Sequence, residues 1–213
     1  MMLSYLTIFV ASFTIALTGA MMPGPLLTST ITESLRHGFI AAPLLMVGHG
    51  LLEMALVIGL LMGLSPLFHQ SWFFVTVSFG GGIILLGMAW SIWRTLPTLR
   101  LVEVAEGRDA GHNLILKGIT ISLANPYFTI WWATIGLSYI VHSKPLGGIA
   151  IAAFFAGHLA ADCLWYGAVS LALAKGRRFL NPRLYRGAMA CGALVLAFFA
   201  CYFIYAGWER VRL

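Results

Sequence analysis

Two short stretches of this sequence share one chemistry-bearing pattern: Gly48-His49-Gly50-Leu51-Leu52-Glu53 and Gly157-His158-Leu159-Ala160-Ala161-Asp162. Each reads Gly-His, three residues, then an acid. On a helix, residues four apart share a face, so each histidine can pair with its own carboxylate. Glu53 and Asp162 are also the only acids deep within long apolar runs. An ionised carboxylate at the centre of a bilayer costs roughly 2.5–3.5 kcal/mol on insertion scales. A neighbouring imidazole lowers that cost, and an unperturbed histidine titrates near neutrality, so the pairs could exchange protons. Two histidines and two carboxylates could instead make a four-ligand N/O site for a divalent metal. One such pair could be a structural tie between helices. Its repetition suggests a polar centre shared by two halves of the chain, away from lipid.

A second pair of features lies nearby. Pro23-Gly24-Pro25 and Asn125-Pro126 each interrupt an apolar run. Proline removes a backbone donor and clashes with the preceding turn, leaving carbonyls free. Lipid cannot satisfy those groups, so such backbone is tolerated where it meets protein or a wet cavity. A helix restarting after the break presents free N–H groups and a positive dipole end, which suits an anion. A zwitterion could place its carboxylate at either break and its ammonium near Glu53 or Asp162. Trp131, Trp132 and Trp165 could line a site or fill a core, and the core reading is preferred. Cys163, Cys191 and Cys201 read as small packing residues, with no disulfide framework or metal spacing.

The elements that must hold these groups follow from composition. Of 213 residues, 60% are hydrophobic and 9% charged, against about 25% charged in a soluble domain. A bilayer crossing takes roughly 20 apolar residues. Runs without Asp, Glu, Lys or Arg cover 1–32, 118–143 and 187–208; 44–93 is interrupted only by Glu53, and Lys144 to Lys175 only by Asp162. Divided at the loop signals, these runs predict an all-α integral membrane protein of six transmembrane helices. The spans fall at about 4–29, 39–64, 72–93, 114–139, 146–174 and 187–207, the first read as a span rather than a cleaved signal. Glu33 to Gly38 reads as a polar turn, and 94–113 as the one sizeable polar loop. Gly80, Gly81, Gly82 and Gly87 read as close-packing positions. Trp72, Trp93 and Trp208 read as interfacial anchors.

The whole chain is a single membrane domain, with one repeat at about 4–93, a second at about 114–207 and a cytoplasmic linker between them. Three spans per half is an odd number, so the halves must lie with opposite orientation, the inverted-repeat plan of many secondary transporters. Arg36, Arg94, Arg100, Arg108, Lys117, Lys175, Arg177, Arg178, Arg183 and Arg186 follow the odd-numbered spans, while only Lys144, Arg210 and Arg212 lie on the other side. That bias places both termini away from the cytoplasm. The basic loops are this topological signal and not a nucleic-acid surface, despite a net charge of +6. No enzyme signature is present: no nucleophile elbow, P-loop or nucleotide-binding glycine turn, and no cofactor motif. The small size is compatible with a homodimer.

Pro23-Gly24-Pro25 followed by Ser34-Leu35-Arg36-His37-Gly38, then Asn125-Pro126, then Asp162-Cys163-Leu164-Trp165-Tyr166, resembles the ordered signatures of the lysine-exporter (LysE/RhtB) family. The similarity spans essentially the whole chain. It implies a six-helix inner-membrane exporter of amino acids or related small solutes driven by an ion gradient. Two departures stand out. Tyr127 follows Asn125-Pro126 where the family commonly has lysine, and the doubled His-acid motif is not a feature of ordinary members. The expected function is therefore proton-coupled export of amino acids or similar metabolites. A divalent-metal transporter using His49, Glu53, His158 and Asp162 is the alternative, with a non-transporting membrane assembly factor as a third class.

Overall fold

The structure, a computed structural model, describes residues 2–21, 24–68, 70–98, 110–176 and 182–212. Among them it is all-helical. The first apolar run forms α1 (Met2–Ala20), then breaks and restarts as α2 (Pro25–His37). Gly38, at φ 73°, turns the chain out of α2. Such a backbone suits glycine, which has no Cβ to clash. A single 3-10 turn leads into α3 (Ala41–Leu61), and a short α4 (Ser65–Phe68) precedes α5 (Ser71–Thr95). The second half opens with α6 (Ala110–Leu123), which breaks and restarts as α7 (Pro126–Trp131). A π-turn over Trp132–Gly136 joins α7 to α8 (Leu137–Ser143), and α9 (Gly148–Gly176) and α10 (Pro182–Arg212) complete the chain.

Among the described residues, four helical stretches are long and apolar enough to cross a membrane: Pro25–Leu61, Ser71–Thr95, Gly148–Gly176 and Pro182–Arg212. Two shorter apolar helices, Tyr5–Ala20 and Asn113–Leu123, accompany them. The outer surface is apolar: Val10, Ile58, Ile83, Leu164, Leu194 and Phe198 are all more than half exposed or nearly so. The buried interior, by contrast, holds Glu33, His49, Glu53, His158 and Asp162. An apolar exterior around a polar centre is the distribution a lipid solvent demands.

Helix contacts run across the two halves. α1 packs on α9, α3 on α6, and α5 on α10. The glycines of the two Gly-His motifs lie at these seams. A Cβ on Gly48 would stand 1.9 Å from the Ile115 carbonyl oxygen of α6, and one on Gly157 would stand 2.4 Å from that of Phe9 on α1. Only glycine lets the backbones approach this closely. Ser12 adds a hydrogen bond across the α1–α9 seam, its hydroxyl donating to the Phe154 carbonyl at 2.7 Å.

Several local expectations are revised. Glu33 to His37 is the last turn of α2, not a loop. Glu33 is buried there, paired with Lys117 of α6, with His37 Nδ1 at 3.0 Å and with Arg36 at 3.8 Å. Those partners make a buried acid tolerable and let the helix continue. The last helix extends past both predicted ends, to Pro182 and Arg212. Cys163, Cys191 and Cys201 are exposed on the outer surface, not packed inside. Gly81 and Gly82 are close-packed, against Ala124 and Ile204, whereas Gly80 and Gly87 face open space. Trp72, Trp93 and Trp208 are exposed at or near helix ends. The linker residues 99–109 and the basic segment 177–181, with Arg100, Arg108, Arg177 and Arg178, lie outside the described residues.

Candidate functional site

The two Gly-His-x-x-x-acid motifs sit on α3 and α9, whose histidine–acid faces turn toward each other. His49 Nε2 lies 3.2 Å from Glu53 Oε1, and His158 Nε2 lies 3.3 Å from Asp162 Oδ2, so each motif makes the pair its spacing predicts. The shortest contact among these four residues joins the two motifs, with His158 Nε2 2.7 Å from Glu53 Oε1. His49 Nε2 also reaches Asp162 Oδ2 at 3.6 Å. Both imidazoles thus present Nε2 to both carboxylates. An ionised carboxylate only accepts, so these nitrogens carry the protons in that state. On the other side of its ring, His49 Nδ1 meets the Ser122 hydroxyl of α6 at 2.6 Å. Trp132 Nε1 donates to Glu53 Oε1 at 3.4 Å. All four ionisable residues are buried.

These groups do not fill the centre. Glu53 Oε2 and His158 Nδ1 are buried without a hydrogen-bond partner among the described residues. A cavity of about 410 Å³ adjoins them, lined by His49, Glu53, His158 and Asp162 together with Gly24 and Asn125 from the two helix breaks. The breaks are built alike. Gly24 and Asn125 both adopt extended backbone ahead of a proline that begins the next helix. Asn125 caps α7, its side-chain oxygen accepting from the Tyr127 N–H at 3.0 Å. Gly24 has no side chain to cap α2. Pro25 and Pro126 are buried as first helical residues and are not part of the cavity wall. Pro23 lies outside the described residues.

Sequence reasoning gave little or no weight to several contributors. Ser122 gave no signal, being one of many hydroxyls in apolar helices. Trp131 and Trp132 were read as core, and Trp132 is indeed 1% exposed. Both nevertheless line the cavity and pack on His158, with ring centroids at 4.5 and 5.4 Å. Their position just past the Asn125-Pro126 break was the available clue. The Glu33–Lys117 pair, linking α2 to α6, was hidden because Glu33 reads as part of a turn and Lys117, at the edge of its span, counts among the loop charges that set orientation. For metal, His49, Glu53 and Asp162 each offer a ligand atom within 4.8 Å of the others, an N/O set compatible with a divalent cation.

The apolar exterior and membrane-length helices define a multi-pass helical membrane protein with a cavity at its broken helices that holds a buried cluster of ionisable groups. The chain belongs to the LysE type translocator family, which matches residues 17–207. It is therefore a member of a family of membrane translocators. No curated protein and no solved structure matches it.

Proposed function

We propose that the protein exports amino acids or related small metabolites across the inner membrane in exchange for protons. The observation that carries this reading is the meeting of two histidines and two carboxylates on one cavity that also contains both helix breaks. A substrate ammonium placed against Glu53 or Asp162 would compete with the imidazolium protons for the same oxygens. Binding the amine then favours proton release, and proton uptake favours letting the amine go. That competition is the physical requirement for exchange of one cation against another. The substrate carboxylate fits the start of α2, whose N–H groups Gly24 leaves uncapped.

Six crossings in two inverted halves suit this role. The broken helix of each half packs on the helix carrying the other half's motif: α1 on α9, and α6 on α3. Exchange of partners in this way is what a two-fold axis in the membrane plane would produce. Alternating access would then rock the halves about the shared centre.

The test is transport by the purified chain in proteoliposomes. Replacing the acids (Glu53→Gln with Asp162→Asn) keeps much of the shape but leaves no carboxylate to hold or release a proton. Gradient-driven export of a labelled amino-acid mixture should fall to background. Full gradient-driven export by this double variant would sink the proton-carrier proposal. The clustered ligand atoms of His49, Glu53 and Asp162 favour a second reading, transport of a divalent metal. In that case labelled metal, and no amino acid, would cross the vesicle membrane.

A further inference from the structure

Aromatic rings stand along the cavity beside the polar centre. Tyr127, Phe128, Trp131, Trp132, Tyr166 and Phe199 all line the cavity. Three of them stand against the histidines: the Trp131 and Trp132 ring centroids lie 4.5 and 5.4 Å from that of His158, and the Phe128 centroid 5.6 Å from that of His49. In an unbroken α-helix, adjacent side chains diverge by about 100°. Trp131 and Trp132 nonetheless reach one cavity at the junction where α7 passes into the π-turn. Single π-turns of this kind recur at functional sites. On α1, Gly19 lies alongside the indole: a Cβ there would stand 3.5 Å from Trp131 Nε1, an ordinary contact distance.

Charge on the cavity wall is confined to one place. Among the described residues lining it, the only acids are Glu53 and Asp162, and there is no lysine or arginine. The free buried oxygen Glu53 Oε2 belongs to that same place. A ligand with one ammonium group finds a carboxylate there, with ring faces alongside that attract a cation. The remaining wall is aromatic or aliphatic, as at Leu27 and Ile135. A second ammonium at the far end of a side chain would meet no carboxylate, and a distal carboxylate would meet no basic side chain. Burying either unpaired charge is costly, whereas burying an apolar group is favourable in proportion to its area.

We infer that the cavity selects amino acids whose side chain is bulky and apolar, aromatic above all, and rejects those whose side chain carries a second charge. This rests on the exporter reading above and narrows its substrate.

Counterflow into proteoliposomes holding the full chain tests the inference, with labelled tryptophan, phenylalanine, leucine, alanine, lysine and glutamate compared side by side. Tryptophan and phenylalanine should exchange at least about tenfold faster than alanine, lysine or glutamate, the order of discrimination a shaped pocket achieves. Trp131→Ala should lower tryptophan exchange about tenfold and change leucine exchange far less, and Trp131→Phe should restore most of the loss. If Trp131→Ala does not fold, the selectivity of the unaltered chain decides alone. Exchange of lysine, glutamate or alanine as fast as tryptophan overturns the inference and leaves the exporter reading standing. Exchange of manganese or zinc ions with no amino-acid exchange overturns both.

Discussion

Glu53 Oε1 faces three donors: His158 Nε2 at 2.7 Å, His49 Nε2 at 3.2 Å and Trp132 Nε1 at 3.4 Å. It is the point at which the two motifs become one group. Asp162 is less tightly held, at 3.3 and 3.6 Å from the same two histidines. His49 differs from His158 in being gripped on both sides, by Ser122 at Nδ1 and by the carboxylates at Nε2. His49→Gln retains a hydrogen-bonding side chain between Ser122 and Glu53 but has no titrating proton. Its expected effect is a displaced pH profile of export with substantial activity remaining, because an imidazole beside a carboxylate chiefly tunes that carboxylate. Export rates across pH 5–9 would check it; an unchanged profile would show that His49 takes no part in proton handling.

At the scale of helices, the seams matter more than the turns. A Cβ at Gly48 would run into the Ile115 carbonyl, and backbone cannot swing aside as a side chain can. Gly48→Ala must push α3 and α6 apart, costing on the order of 1–3 kcal/mol or more as overpacking does. Gly87 of α5 offers the control, because nothing stands within 4 Å of its Cβ position. Thermal unfolding in detergent should show a clearly lowered midpoint for Gly48→Ala and almost none for Gly87→Ala. Equal midpoints for the two variants would mean that the α3–α6 contact is looser than drawn. The same seam aims His49 and Glu53 inward, so the stability of α3 against α6 and the geometry of the site are coupled.

For the molecule as a whole, the open matter is which side each half faces. The excess of lysine and arginine after the odd-numbered spans argues for cytoplasmic placement of those loops. In a cysteine-free background, single cysteines placed within 99–109 should escape impermeant thiol reagents in intact cells, and one near Leu213 should react. The opposite labelling pattern would invert the topology while leaving the cavity as described.

Membrane residence, the helix breaks and the paired motifs were legible in sequence because each depends on local chemistry. A run of apolar residues partitions into lipid wherever it lies in the chain, proline disrupts any helix it enters, and a four-residue spacing always shares a face. Those signals singled out the four ionisable residues that the structure brings together on the cavity. What they could not give was the partner across the gap. That His158 contacts Glu53 more closely than Asp162 depends on how near α9 comes to α3, at a contact where a Cβ on Gly50 would stand 2.9 Å from the Leu159 side chain. Glu33 looked like a loop residue until Lys117 arrived beside it from a helix more than eighty residues away. The cysteines looked internal because an apolar helix gives no sign of which side meets lipid and which meets protein. In a lipid solvent both faces are apolar, so the choice between them belongs to the tertiary packing alone.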